Sequence, residues 1–245
     1  MPDSNHVWDF FSGDHVSQRQ HSLNLPKLDS VVVIGVGGIG SWVSFNLALS
    51  GCVKILILFD DDEIEVSNLN RTPFRIVDVG KLKVVALFEL IMERRPDQDV
   101  KINPIKFDPS HLNYHPTVIF DCRDDIYDDL SQYDCKIWKL GYDGLEVTID
   151  GNPKGRKVWG ESQGYTVTPS FFAPSQLAAT LSILSTLTSH SCIPGIEGSR
   201  EFDDVVTFDC CEIIPSTKIV QNAIMQAAAL SNQGDPEYVS SKTRN

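Results

Sequence analysis

The six residues Gly35-Val36-Gly37-Gly38-Ile39-Gly40 constrain the fold of this chain more than any other stretch. They follow the β-branched run Ser30-Val31-Val32-Val33-Ile34 and lead into "SWVSFNLALSG". A continuous apolar run of that length predicts a strand buried on both faces. The segment after it predicts a helix closed by Gly51. Glycines between a strand and a helix allow a tight turn and let the backbone approach a phosphate. The helix N-terminus adds amide donors and partial positive charge. The turn therefore predicts nucleotide binding through Gly35, Gly37, Gly38 and Gly40. Asp60 ends the next apolar run, "VKILILFD", at the place where an acidic side chain accepts hydrogen bonds from ribose hydroxyls.

The alternation continues. "KLKVVALFELIMERRP" reads as a helix that stops at Pro96, and "DVKINPIKF", "TVIFDC" and "CKIWKLGY" read as strands. Strands and helices alternating at this length predict an α/β fold, a Rossmann-like and mostly parallel sheet with helices on both faces. Farther on, "LEVTIDGNPKGRKVWG" reads as a hairpin turning at Gly151-Asn-Pro-Lys-Gly155, so the sheet gains antiparallel strands in the C-terminal half. "APSQLAATLSILSTLTSH" predicts a helix with Pro174 in its first turn. "DDVVTFDCCEII" reads as a strand, and "PSTKIVQNAIMQAAALSN" as a last helix. The organisation expected is an N-terminal extension at 1–28, one domain at 29–232 and a flexible tail at 233–245. Within the domain the nucleotide half spans 29–141 and the substrate and crossover half 142–232.

Composition limits the partners. The chain has 245 residues and a formal net charge of −12, a poor prior for a nucleic-acid backbone or an anionic membrane. No apolar run is long enough to span a bilayer and the N-terminus shows no signal-peptide pattern; both favour the cytoplasm. The six cysteines, at 52, 122, 135, 192, 210 and 211, form no CxxC pair, so no structural zinc is expected. The six histidines form no metal-binding set.

The glycine turn and Asp60 fit a nicotinamide cofactor as well as ATP. The loop "FDDDEIEVSNLNRTPF" separates the two. A diphosphate needs no further basic group here, whereas a triphosphate carries charge that one helix end cannot neutralise. Arg71 offers a bidentate fork, Asn68 a donor for a terminal phosphate oxygen, and Lys83 a point charge at the start of the next helix. Asp124 follows a strand at the carboxyl edge of the sheet, where a carboxylate suits Mg²⁺ held jointly with phosphate oxygens. An NAD-dependent oxidoreductase is the rival class, and it leaves Arg71, Lys83 and Asp124 without a shared purpose. Those residues also argue against a non-catalytic partner subunit.

The ordered set "GVGGIG", "FDDDEIEVSNLNR", "DVGKLK" and "DCRD" resembles the adenylating enzymes of the ThiF/MoeB and ubiquitin-activating superfamily. The resemblance is specific over about residues 30–124 and looser through "FFAPSQLAATLSILSTL". It implies an ATP-dependent adenylyltransferase in which a carboxylate attacks the α-phosphate of ATP·Mg²⁺. It implies a nucleotide site containing Asp60, Asp62 and Asn68, with Arg71 and Lys83 on the phosphates and Asp124 on Mg²⁺. The implied partner is a ubiquitin-like or sulfur-carrier protein, or a peptide, with a free C-terminal carboxylate; the alternative is a carboxylate on a small molecule or a tRNA. It also implies a homodimer in which Arg19, the only arginine before the first strand, reaches the partner's ATP site. The crossover segment "GNPKGRKVWGESQGYTVTPSFF" lacks the cysteine that many members use for thioester transfer. Adenylation without a thioester at the usual place is the simplest expectation, with Cys192, two residues after His190, as a relocated acceptor to test.

Overall fold

The computed structural model describes residues 18–124, 130–144, 146–151, 170–188 and 205–209. The chain divides into two compact units, Met1–Cys210 and Cys211–Asn245, and every described residue lies in the first. Five parallel strands, β1 (Leu28–Ile34), β2 (Val53–Phe59), β3 (Asp99–Asn103), β4 (Val118–Asp121) and β5 (Lys136–Asp143), stand in the order β3-β2-β1-β4-β5. Two antiparallel strands, β6 (Glu146–Asp150) and β7 (Val205–Asp209), extend the sheet beyond β5. This is a mostly parallel Rossmann-like sheet with an antiparallel edge, as the sequence predicts.

The element boundaries follow from local chemistry. Helix α1 (Gly38–Ser50) ends where Gly51 turns left-handed, φ 61°, and donates its N–H to the Ala48 carbonyl. Helix α2 (Lys83–Arg94) stops two residues before Pro96, and helix α3 (Phe172–Leu187) takes Pro174 into its first turn, where the missing N–H costs nothing. The strand expected to run through "DVKINPIKF" ends at Asn103, because Pro104 cannot donate to a ladder. The hairpin is placed differently from the sequence reading. β6 returns against β5 after Gly144, whose φ of 59° suits the first position of a two-residue turn. Its other neighbour is β7, and residues 152–155 of the expected turn lie outside the described residues.

The three helices pack on one face of the sheet. Val31, Val33, Leu56, Leu58, Val118, Phe120, Trp138 and Leu140 form a single core with Val43 and Leu47 of α1, Leu87 and Ile91 of α2, and Ala178 and Ala179 of α3. The opposite face buries Val32, Ile34, Ile57, Phe59 and Ile119 under Phe107, Leu112, Leu130 and Tyr133. Among the described residues that second face carries a 3-10 turn at Pro109–His111. No helix among the described residues is long and apolar enough to cross a membrane.

Candidate functional site

The ends of β1 to β4 lie in register with one another and with Lys139 inside β5. Asn103, Phe59, Ile34, Asp121 and Lys139 pair successively across the sheet, one from each strand. The chain leaves this row at Gly35, Asp60 and Cys122, and each departing backbone is pinned to a neighbouring strand. Gly35 N–H donates to the Phe59 carbonyl (2.8 Å), Cys122 N–H to that of Ile34 (2.8 Å) and Asp60 N–H to that of Asn103 (3.3 Å). Site residues far apart in sequence thus emerge on one edge, the carboxyl edge where open α/β sheets bind ligands.

The glycine turn is shaped by contact. Gly35 has φ +82°, and a Cβ there would lie 3.2 Å from the Cys122 backbone. At Gly40 a Cβ would lie 1.8 Å from the Gly35 carbonyl oxygen, so no side chain fits. Gly37, just before α1, faces open space. The turn is therefore closed on its sheet side and open where a phosphate would approach.

Asp60 locks the turn to β2. Its Oδ2 accepts from Val36 N–H (2.6 Å) and its Oδ1 from Asp62 N–H (2.9 Å). Burial pushes its carboxyl above the usual carboxylate range, while Lys83 and the two amides oppose that rise. The following loop folds back on itself. Lys83 N–H donates to Asp62 O, Ile64 N–H to Lys81 O and Gly80 N–H to Ile64 O, each at 2.9 Å. This zipper sets the Lys83 ammonium 2.6 Å from Asp62 and 3.9 Å from Asp60, with its side chain only 12% exposed. Asp78, fully buried, holds the turn from beneath. It accepts from Arg75 Nε (2.9 Å) and Lys81 Nζ (3.2 Å), and the Arg75 guanidinium foremost lowers its carboxyl to about 2.

Asn68 and Arg71 stand on the 3-10 turn Val66–Asn68 and just beyond it. Asn68 Oδ1 accepts from Glu65 N–H (3.1 Å), which leaves its amide nitrogen as the donor. Arg71 Nη1 donates to the Ser67 carbonyl and to Asn70 Oδ1 (3.1 Å), while its Nε is buried with no partner among the described residues. The Arg71 carbonyl accepts from Trp42 Nε1 of α1 (2.8 Å) and from the buried Ser175 hydroxyl of α3 (3.3 Å). Asn70 Nδ2 donates to the Ser170 carbonyl (2.9 Å). Two helices thus fix the loop over the first turn of α1.

Asp124 is exposed beyond β4, close enough to act electrostatically on Tyr142 and Cys122. The turn before it is anchored by a buried ionic cluster that sequence reasoning missed. Asp121 Oδ2 lies 3.0 Å from Lys139 Nζ, and Asp121 Oδ1 lies 2.8 Å from Arg123 Nε. Lys139 also donates to the Arg123 carbonyl (3.0 Å). Burial pulls the Lys139 ammonium below its usual range, against the pull of Asp121. A lysine inside the apolar run "CKIWKLGY" was the available signal.

Arg19 is not brought to this site. It is exposed on the 3-10 helix Gln18–Leu23, whose Gln20 side chain donates to Ser50 O at the far end of α1, roughly 20 Å from the glycine turn at 1.5 Å per residue. Cys192, His190, Cys210 and Cys211 lie outside the described residues. Burial pushes the Cys122 thiol well up and that of Cys135 up to about 11, so neither is a ready thiolate. No cluster of three metal-ligating side chains occurs among the described residues. A groove of about 620 Å³ lies on the second face near Lys54, Lys101, His111 and Tyr114, and it takes in none of the residues predicted for the site.

Residues 17–130 match the ThiF family, so the resemblance drawn from the motifs holds over that segment. Ubiquitin-like modifier-activating enzyme 5 of Dictyostelium discoideum is 40% identical over 90 residues, 37% of this chain and 21% of that protein. tRNA threonylcarbamoyladenosine dehydratase 1 of Saccharomyces cerevisiae is 33% identical over 142 residues, 49% of this chain and 32% of that protein. The chain therefore spans about a fifth to a third of these curated relatives. Among solved structures, E. coli MccB with MccA-N7isoASN has a TM-score of 0.55 at 22% identity, covering 76% of this chain and 64% of that one. That likeness is one of fold.

Proposed function

We propose that this chain is an ATP-dependent adenylyltransferase that activates a carboxylate. What carries the reading is a glycine turn open at Gly37 with two cationic residues tied to its surroundings: Lys83 lies 3.9 Å from the Asp60 carboxylate that accepts from Val36 N–H, and the Arg71 carbonyl accepts from Trp42 of α1. A dinucleotide site needs only the turn; the two added cations suit a triphosphate. E. coli MccB, similar in fold, has been solved with ATP.

In this reading ATP is a substrate. The amides of the turn and of the first turn of α1 receive phosphate oxygens. Asp60 accepts from the ribose, and Asp62 holds Lys83 in place. Lys83, Arg71 and the Asn68 amide balance charge on the phosphates. Asp124 supplies one carboxylate toward Mg²⁺, which is commonly held by one or two carboxylates with phosphate oxygens and water; the donor set fits, and the ion would add positive charge at the phosphates. A carboxylate oxygen of the acceptor forms a bond to the α-phosphorus. The bond from that phosphorus to the oxygen bridging to the β-phosphate breaks, and pyrophosphate leaves with the electron pair. Positioning and charge stabilisation suffice, with no covalent enzyme nucleophile.

The acceptor we favour is the C-terminus of a ubiquitin-like or sulfur-carrier protein, or a peptide, handled by a homodimer in which Arg19 acts only on the partner's site. The similarity to tRNA threonylcarbamoyladenosine dehydratase 1 supports a tRNA-borne carboxylate as the second reading; the net charge of −12 weighs against it. Titration with ATP·Mg²⁺ and with NADH tests the nucleotide. ATP is expected to bind, and Lys83→Ala to weaken it. Binding of NADH without binding of ATP would overturn the assignment.

A further inference from the structure

Tyr142, near the end of β5, stands over the first turn of α1. A Cβ on Gly38 would meet its hydroxyl at 2.7 Å and its ring carbons at 3.3 Å. The same hydroxyl is hydrogen-bonded with Arg71 and Ser170 and lies in the field of Asp124. One phenol therefore touches the glycine turn, the phosphate-facing loop and the entry to α3. Its support is rigid: Val147, opposite it in the β5–β6 ladder, is fully buried.

Two features beside it point to a ligand. Arg71 Nε is buried and lacks a partner among the described residues, a costly state for a charged donor unless something anionic completes it. Gly37, adjacent to the glycine under Tyr142, opens on empty space. An acceptor at Gly37 would sit next to Gly38, against which the phenol lies, and the phenol is itself bonded with Arg71, so turn, phenol and guanidinium adjoin. Phosphate oxygens carry lone pairs in several directions and match that arrangement.

We propose that Tyr142 is a nucleotide-contacting residue whose hydroxyl donates to a phosphate oxygen at the glycine turn, with Arg71 as its companion donor. This rests on the ATP reading above. A phenol suits the place because Asp124 already brings negative charge, and a neutral donor adds none. A phenol keeps its proton at neutral pH, and burial raises the Tyr142 hydroxyl further above its ordinary range. The arrangement also accounts for Gly38: the residue is small because the tyrosine lies against it.

The test removes one oxygen. Tyr142→Phe should bind ATP·Mg²⁺ about tenfold more weakly than wild type, the order expected for a hydrogen bond to a charged group, while the free protein stays folded, its melting temperature lowered only by the loss of the bonds to Arg71 and Ser170. Gly38→Ala, made in wild type and in the Tyr142→Phe variant, checks the placement. Its added methyl should weaken ATP binding in wild type and do so less in the Tyr142→Phe variant, where only ring carbons remain to be met. Equal ATP affinity of wild type and Tyr142→Phe would overturn the proposal and leave the ATP reading standing. Equal penalties for Gly38→Ala in both backgrounds would overturn it too. Wild-type protein that binds no ATP would overturn both.

Discussion

The glycine turn and the loop from Asp60 to Lys83, which we propose face one nucleotide, are built differently. The turn is specified by the absence of side chains: Gly35 adopts φ +82° and Gly40 sits where a methyl would strike backbone oxygen at 1.8 Å. The loop is specified by side chains: Arg75 with Asp78 at 2.9 Å and Glu93 at 2.8 Å, Lys81 with Glu89 at 2.7 Å, Lys83 with Asp62 at 2.6 Å. One fails by steric overlap, which is all-or-none. The other fails by loss of charge, which is graded and follows pH. In the proposed function an acidic chain gains from this division, since the turn would draw a phosphate with backbone dipoles and the loop would then need only a few cations.

The contrast can be broken most severely at Gly40. Gly40→Ala must displace the Gly35 backbone, and we expect a loss of about 3 kcal/mol or more, seen as a large drop in the urea midpoint. A normal midpoint would remove the steric half of the comparison. Lys83→Ala should leave stability within about 1 kcal/mol, because its nearest partner Asp62 is 67% exposed. Its ATP-dependent turnover should fall about a hundredfold or more, so paired melting and rate measurements separate charge from fold. Asp78 supplies a pH test. Its folded carboxyl is lowered from 3.8 to about 2, so its stabilisation is complete above pH 3.8 and is lost as pH falls toward 2. Melting temperature should decline across that window, and Asp78→Asn should remove part of the decline. The smallest effect on stability is expected at Gly37. Its Cβ meets nothing, so Gly37→Ala should shift stability by no more than about 0.5 kcal/mol while still obstructing ATP, as calorimetry would show.

The site was legible in the sequence where chemistry is local. A β-branched run, a glycine turn and a strand-ending Asp60 encode their own placement, and "SNLNR" with "GKLK" announces charge near it. Contacts made through the antiparallel edge were not legible. Tyr142 reaches Gly38 and Arg71 only because β5 runs beside β4 and then turns at Gly144. The chain turns at Gly144, directly after the last paired residue Asp143, earlier than the Gly151–Gly155 turn read from the sequence. Lys139 lies within the strand predicted through "CKIWKLGY", and only its register with Asp121 reveals the ion pair. Arg19 could be placed only by the fold, since nothing in "VSQRQHSL" indicates which end of α1 it meets.

The central claim is that this site joins ATP to a carboxylate, and ATP–pyrophosphate exchange measures that step directly. Wild-type protein, given Mg²⁺ and a panel of peptides with free C-terminal carboxylates, is expected to return labelled pyrophosphate into ATP only when an acceptor is present. That exchange should disappear in Lys83→Ala and Asp124→Ala. Exchange that survives both substitutions, or its absence with every carboxylate while ATP binds and is hydrolysed, would contradict the account.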